Sequence, residues 1–175
     1  MLVIHIDTME DTSFLKKVYN GLTCKVLYNP GSRAEIVQAL EQEHDLVLLM
    51  GHGTPQGLLN REMNGYCVDH SMADLLKGKR CVGIWCYAAE FARREGLEGF
   101  FSSMFVSNAT EAAYFGFDAD DRETFGEVVR FATHVNDLLR SATPLVQWVP
   151  SLRQGAHLEK DYVRFNYDGL AYLGR

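Results

Sequence analysis

The sequence has no apolar run long enough to span a bilayer, and its opening Met1-Leu2-Val3-Ile4-His5-Ile6 is too short for the core of a signal peptide before Asp7 and the acidic Glu10-Asp11 interrupt it. Positive charge is in deficit: 17 Lys and Arg stand against 23 Asp and Glu, a formal charge of −6. Nucleic acids and anionic membranes both reward clustered Lys and Arg, so neither is an expected partner; small, neutral or basic molecules are. No strand-to-helix turn carries Gly-x-Gly-x-x-Gly or Gly-x-x-x-x-Gly-Lys-Ser/Thr, and Gly51-His52-Gly53 is too short to cradle a phosphate, which argues against nucleotide binding. Cysteine is scarce, at four residues in a chain with an ordinary apolar content, so Cys24, Cys67, Cys81 and Cys86 read as reduced thiols of a cytoplasmic protein rather than a disulfide framework. There is no repeat, low-complexity tract or linker, and residues 1–175 are expected to form one domain.

What is present is an alternation of strand and helix. Leu2 to Ile6, Cys24 to Tyr28, Leu46 to Met50 and Cys81 to Trp85 are apolar runs of strand length. Between them, Phe14, Leu15, Val18 and Tyr19 form one helical stripe, and Ser32 with Glu35 has capping-box spacing ahead of Ile36, Val37, Ala39 and Leu40. Asn29-Pro30-Gly31 separates the second strand from that helix. Gly57-Leu58-Leu59 and Tyr66-Cys67-Val68 predict a small hairpin, Ser71 a cap on a short helix to Leu76, and Ala88 to Arg94 a helix springing from Cys86. Ser103 to Ser107 is expected to be the next strand and Thr124 to Leu139 a long amphipathic helix. Beyond Pro144, residues 141–175 are expected to add a short strand over Leu145 to Val149 and a hairpin of Tyr162 to Tyr167 with Leu170 to Leu173. Such alternation predicts an α/β protein: a three-layer α/β/α sandwich around a mostly parallel sheet.

Two of the buried strands end on reactive side chains. Leu46 to Met50 runs into Gly51-His52-Gly53-Thr54, and Val82-Gly83-Ile84-Trp85 runs into Cys86. Open α/β sheets place their chemistry beyond the carboxyl ends of the strands, so His52 and Cys86 are expected side by side. A thiol with a free pKa of about 8.5 needs help to become a nucleophile. The helix starting after Cys86 offers the positive end of its dipole, and His52 can accept a proton and return it to a leaving amine. Gly53 lets the backbone approach a bound carbonyl, so its N–H and that of Cys86 form a candidate oxyanion hole. This constellation suits hydrolysis of an amide or ester through a thioester, and it calls for no cofactor or metal.

These residues resemble the caspase-like cysteine peptidases, the group of caspases, metacaspases, gingipains, legumains, separases and CHAT domains. The matching segments are Met50-Gly51-His52-Gly53 and Ile84-Trp85-Cys86, with His before Cys in chain order and a hairpin, a short helix and Lys77-Gly78-Lys79 between them. The likeness continues through Met104-Phe105-Val106-Ser107-Asn108 into the long helix and covers roughly residues 1 to 140. It implies a cysteine endopeptidase with a Cys86–His52 dyad acting on peptides or proteins. In the resembling families a charged residue in the loop after the next strand helps to read the substrate. Here Asn108 to Glu123 carries Glu111, Asp118, Asp120 and Asp121 and no basic residue before Arg122, so Asn108, Glu111 and Asp118 are candidate substrate-binding residues with preference for Arg or Lys before the scissile bond. The same carboxylates also read as solvated loop charges.

The chain departs from its resembling families in places. The separation of His52 and Cys86 is shorter than the roughly 50 residues quoted for caspases. The Gln-Ala-Cys-Arg-Gly block is absent, and Ile84 stands where metacaspases carry an acid. An alternative from another class is an interaction module that binds a peptide without cleaving it. A glutamine amidotransferase would place its cysteine before its histidine. Zinc fails on geometry, because Cys81 and Cys86 are an odd number of residues apart on one extended strand and face opposite ways. Cys24, Cys67 and Cys81 then read as packing residues, and His5, His44, His134 and His157 as structural or exposed. An edge strand leaves a homodimer open.

Overall fold

The computed structural model describes residues 1–8 and 12–174; the acidic pair Glu10-Asp11 noted above lies outside them. Along the chain the elements are β1 (Leu2–His5), α1 (Lys16–Tyr19), β2 (Lys25–Tyr28), α2 (Arg33–Leu40), β3 (Leu46–Met50), β4 (Gly53–Thr54), β5 (Gly57–Leu59) and β6 (Tyr66–Asp69). They continue as α3 (Ala73–Leu76), β7 (Arg80–Ile84), α4 (Ala88–Glu95), β8 (Glu98–Phe101), α5 (Ala109–Tyr114), α6 (Asp121–Arg140), α7 (Trp148–Gln154), α8 (Asp161–Asp168) and β9 (Ala171–Leu173).

The main sheet has the order β2-β1-β3-β7-β8-β9. All neighbours are parallel except β8 and β9. Side chains alternate cleanly across it. Val3, Leu48, Met50, Val82, Ile84 and Phe100 pack on one face against Phe14, Val18, Val128, Phe131 and Val135 of α1, α6 and the turn before α1. Leu2, Ile4, Val47, Leu49, Cys81 and Phe101 pack on the other against Ile36, Leu40, Leu76 and Phe91 of α2, α3 and α4. Period-two alternation with both faces buried is what makes β1 and β3 read as unbroken apolar runs. The result is the expected α/β/α sandwich.

Three local readings hold with small shifts. Ser32 caps α2 by accepting the Glu35 N–H, while the Glu35 carboxylate takes the Gly31 N–H. The predicted hairpin is β5–β6, and Gly53–Thr54 adds β4 as a third strand. The short helix to Leu76 also forms, but Ser71 is not its cap: Ser71 lies in a 3-10 turn, His70–Met72, that leads into α3, and Asp69 caps that turn by accepting the Ser71 N–H.

The carboxyl-terminal half differs more. The strand expected at Ser103 to Ser107 is instead β8, five residues earlier. Gly99 approaches β7 so closely that a Cβ there would lie 1.8 Å from the Cys81 carbonyl oxygen, so the residue that looks like a strand breaker is the one this pairing requires. The segment after it joins no ladder: Val106 gives its N–H to Asn166 Oδ1 at 2.7 Å and its carbonyl accepts from Asn166 Nδ2 at 2.9 Å. Leu145 to Val149 is not a strand but a 3-10 turn running into α7. Of the terminal hairpin only β9 forms. Tyr162, Val163, Asn166 and Tyr167 are buried at helical spacing on α8, because packing on a helical stripe outweighs the strand preference of aromatic and β-branched residues.

Candidate active site

Four strand ends build one cleft. Thr12, Phe14 and Leu15 come from the segment after β1, Gly51 and His52 from the end of β3, Ile84, Trp85 and Cys86 from the end of β7, and Phe105, Ser107 and Glu111 from the stretch after β8. Met50 pairs with Ile84 in parallel register, and His52 and Cys86 each stand two residues beyond that pair. The two turns are tied directly: the Gly51 N–H donates to the Ile84 carbonyl at 3.1 Å. Gly51 has φ +147°, and a Cβ there would lie 2.5 Å from the Ile6 carbonyl oxygen, so only glycine allows the turn that presents His52. Both His52 and Cys86 are half-buried, and Cys86 Sγ lies 3.9 Å from the Phe105 carbonyl oxygen.

Gly53 serves a purpose beyond the one its sequence context suggests. A Cβ would fall 2.0 Å from Trp85 Cδ1, so the absent side chain makes room for the indole, whose Nε1–H donates to the Thr54 carbonyl at 3.3 Å. The register also disposes of its amide. Gly53 lies opposite Leu58, and the Leu59 N–H donates to the His52 carbonyl at 2.9 Å. Gly53 and Leu58 are therefore a non-hydrogen-bonded pair, and the Gly53 N–H points away from β5.

The elbow at Cys86 is tight. Tyr87, which follows it and caps α4, is left-handed at φ +70°, a conformation that costs a non-glycine residue about 1–2 kcal/mol. The Ala88 and Ala89 N–H groups at the start of α4 already donate to the Trp85 and Ser102 carbonyls, at 3.2 and 2.8 Å. Any help from the helix to a thiolate at Cys86 therefore comes from its dipole field and not from hydrogen bonds by these two amides.

Of the three substrate-binding candidates, Glu111 reaches the cleft. Its Oε2 accepts from the Ser107 N–H at 2.7 Å and the Ser107 hydroxyl at 2.9 Å. Asn108 is engaged as the cap of α5, its Oδ1 accepting the Glu111 N–H at 2.9 Å. Asp118 lines a separate groove with Glu123, Lys160, Asp161 and Tyr162. Sequence reasoning missed Thr12, Phe14, Leu15, Phe105 and Ser107 as cleft walls, and Ser102 behind the elbow. Placing β8 at Glu98–Phe101 supplies the missing signal, since Ser102 then follows a buried strand just as Cys86 does.

Behind the β1 end lies a buried polar group of residues. Fully buried His5 donates from Nε2 to the Thr12 carbonyl and accepts the Tyr19 hydroxyl at Nδ1, both at 3.1 Å. Burial pushes its pKa down from 6.5 to about 4. Asp7, 2% exposed, accepts from Tyr28 and Thr12 hydroxyls at 2.6 and 3.2 Å and faces Lys16 at 3.7 Å. This group anchors Thr12, and through it one wall of the cleft. Elsewhere Cys67 and Cys81 are buried, and burial raises both thiols to about 12, as befits packing residues.

A sheet of this order, with helices on both faces and the cleft at its carboxyl edge, has the caspase-like α/β fold. Among solved structures the chain is similar to the Arg-specific cysteine proteinase gingipain R, with a TM-score of 0.56 and 12% sequence identity over 97% of this chain. The chain spans 45% of that proteinase's length, and at this identity the likeness concerns the fold. No protein-family model matches the chain, and no curated protein matches it significantly. Among the described residues no helix is long and apolar enough to cross a membrane.

Proposed function

We propose that this chain is a cysteine peptidase. The observation that carries the reading is the convergence of His52, Cys86 and Glu111 on one cleft at the carboxyl ends of adjacent parallel strands. In this reaction His52 takes the Cys86 proton as sulfur attacks the scissile carbonyl. The resulting oxyanion is held by the N–H groups of Gly53 and Cys86. His52 then returns the proton to the leaving amine as the C–N bond breaks, leaving a thioester. Water, deprotonated by His52, attacks that thioester and releases the acid and the thiol. The Glu111 carboxylate gives the cleft a negative wall, which favours Arg or Lys before the scissile bond.

The test is hydrolysis of fluorogenic peptides ending in Arg, Lys or neutral residues, together with iodoacetamide labelling. The expected result is turnover of the basic peptides, abolished by Cys86→Ala and lowered about 10²-fold or more by His52→Ala. Cys86 labels faster than the other thiols, and Glu111→Gln erodes the preference for basic over neutral peptides. A Cys86 no more reactive than Cys24, with no peptide cleaved, would leave a peptide-binding module as the better reading.

A further inference from the structure

Ser102, the wholly buried residue just after β8, directs its polar contacts to the end of β7, the elbow carrying Cys86 and the start of α4. Its Oγ accepts the Trp85 N–H at 3.1 Å and donates to the Trp85 carbonyl at 2.9 Å. Its own N–H donates to the Gly83 carbonyl at 3.0 Å, and its carbonyl accepts the Ala89 N–H at 2.8 Å. One side chain thus grips both backbone groups of the residue before Cys86, and its main chain grips the strand before and the helix after. A hydroxyl, as simultaneous donor and acceptor, can do this; an apolar side chain cannot.

The consequence follows from the planarity of the peptide bond. In a trans peptide the C=O and the next N–H point in opposite directions. The Trp85 carbonyl is drawn inward by Ser102 Oγ–H and by the Ala88 N–H at 3.2 Å. The Cys86 N–H in the same peptide is therefore turned away from Ser102, and Cys86 itself lines the cleft. Without the hydroxyl, the Trp85 N–H loses its acceptor and the Trp85 carbonyl keeps only the longer bond from Ala88.

We propose that Ser102 is a positioning residue that holds the Trp85–Cys86 peptide in the orientation presenting the Cys86 N–H as an oxyanion donor, an inference that rests on the peptidase reading of the site. Two reactions separate this from a general structural role. Iodoacetamide forms an S–C bond at Cys86 with loss of iodide and develops no carbonyl oxyanion, whereas peptide hydrolysis depends on one. In Ser102→Ala, the expected outcome is a retained melting transition and an alkylation rate within about 3-fold of wild type with an unchanged pH profile. Against this, kcat falls about 10–100-fold at nearly constant KM, by analogy with loss of an oxyanion donor. Ser102→Thr, which keeps the hydroxyl, recovers most of kcat, and the crystal structure of Ser102→Ala shows the Trp85–Cys86 peptide rotated. If the alanine variant does not fold, Ser102→Cys, a weaker donor of similar size, gives a smaller drop in the same direction.

Wild-type kcat in the alanine variant, or alkylation and turnover falling together, overturns the proposal. A wild-type protein that neither cleaves peptides nor labels selectively at Cys86 sinks the peptidase reading by itself. The peptide orientation is then decided by the Ser102→Ala structure alone, where an unrotated peptide overturns it.

Discussion

At residue scale, the site depends on small side chains beside one large one. Trp85 fills the space that Gly53 and Gly83 vacate: a Cβ on Gly83 would lie 2.8 Å from its Cζ3, and one on Gly53 2.0 Å from its Cδ1. Gly53→Ala is therefore expected to displace the indole at a cost of about 1–3 kcal/mol, the usual range for overpacking, read as a lowered midpoint in urea unfolding. Because the indole holds β4 to the elbow through Thr54, peptide turnover should fall in the same variant. A midpoint equal to wild type would mean that Trp85 does not lock this corner. His52, Gly53 and Cys86 were legible in the chain because each follows a buried strand whose apolar run stops abruptly. Ser102 was not, since it follows Glu-Gly-Phe-Phe, a run too short and too glycine-interrupted to read as a strand.

At the scale of elements, the wall beside Cys86 is held by a helix far away in sequence. Asn166 of α8, 3% exposed, supplies both a donor and an acceptor to Val106, next to the Phe105 carbonyl that faces Cys86 Sγ. Asn166→Ala leaves a buried N–H and C=O unpaired, for an expected loss of about 2–3 kcal/mol in thermal or urea unfolding. A loss below about 0.5 kcal/mol would show that Val106 finds other partners. The same contact explains why Ser103 to Ser107 reads as a strand and is not one: its backbone is satisfied by a side chain instead of a ladder. The four-residue α1 is likewise completed from outside, its end accepting from Asn136 at 2.9 and 3.1 Å and from Arg140 at 2.9 Å. Helices this short are not stable alone.

At the scale of the whole molecule, stability should carry the signature of a histidine buried neutral at the end of β1. His5 takes up a proton near pH 4 when folded but near 6.5 when unfolded. Its contribution is therefore intact above pH 6.5 and is lost as pH falls toward 4, by on the order of 3 kcal/mol. His5→Gln keeps a donor and an acceptor toward Thr12 and Tyr19 and cannot titrate there. Urea denaturation at several pH values should give the variant a flatter profile between pH 4 and 6.5 than wild type. Parallel profiles would show that His5 does not set the acid dependence of stability.

By itself, the sequence determined the parallel centre of the sheet and the two strand ends bearing His52 and Cys86, because strands buried on both faces need continuous apolar runs and those runs have visible ends. Tertiary structure alone decided β8, α5 and α8, and with them Ser102 and the Phe105–Glu111 wall. In each of these the local preference was weak or misleading, and partners distant in sequence settled the conformation: the Cys81 backbone against Gly99, and Asn166 with Val106. Which of the acidic residues after Asn108 lines the cleft was decided there too, since only the folded chain brings Glu111 to it and places Asp118 in a separate groove.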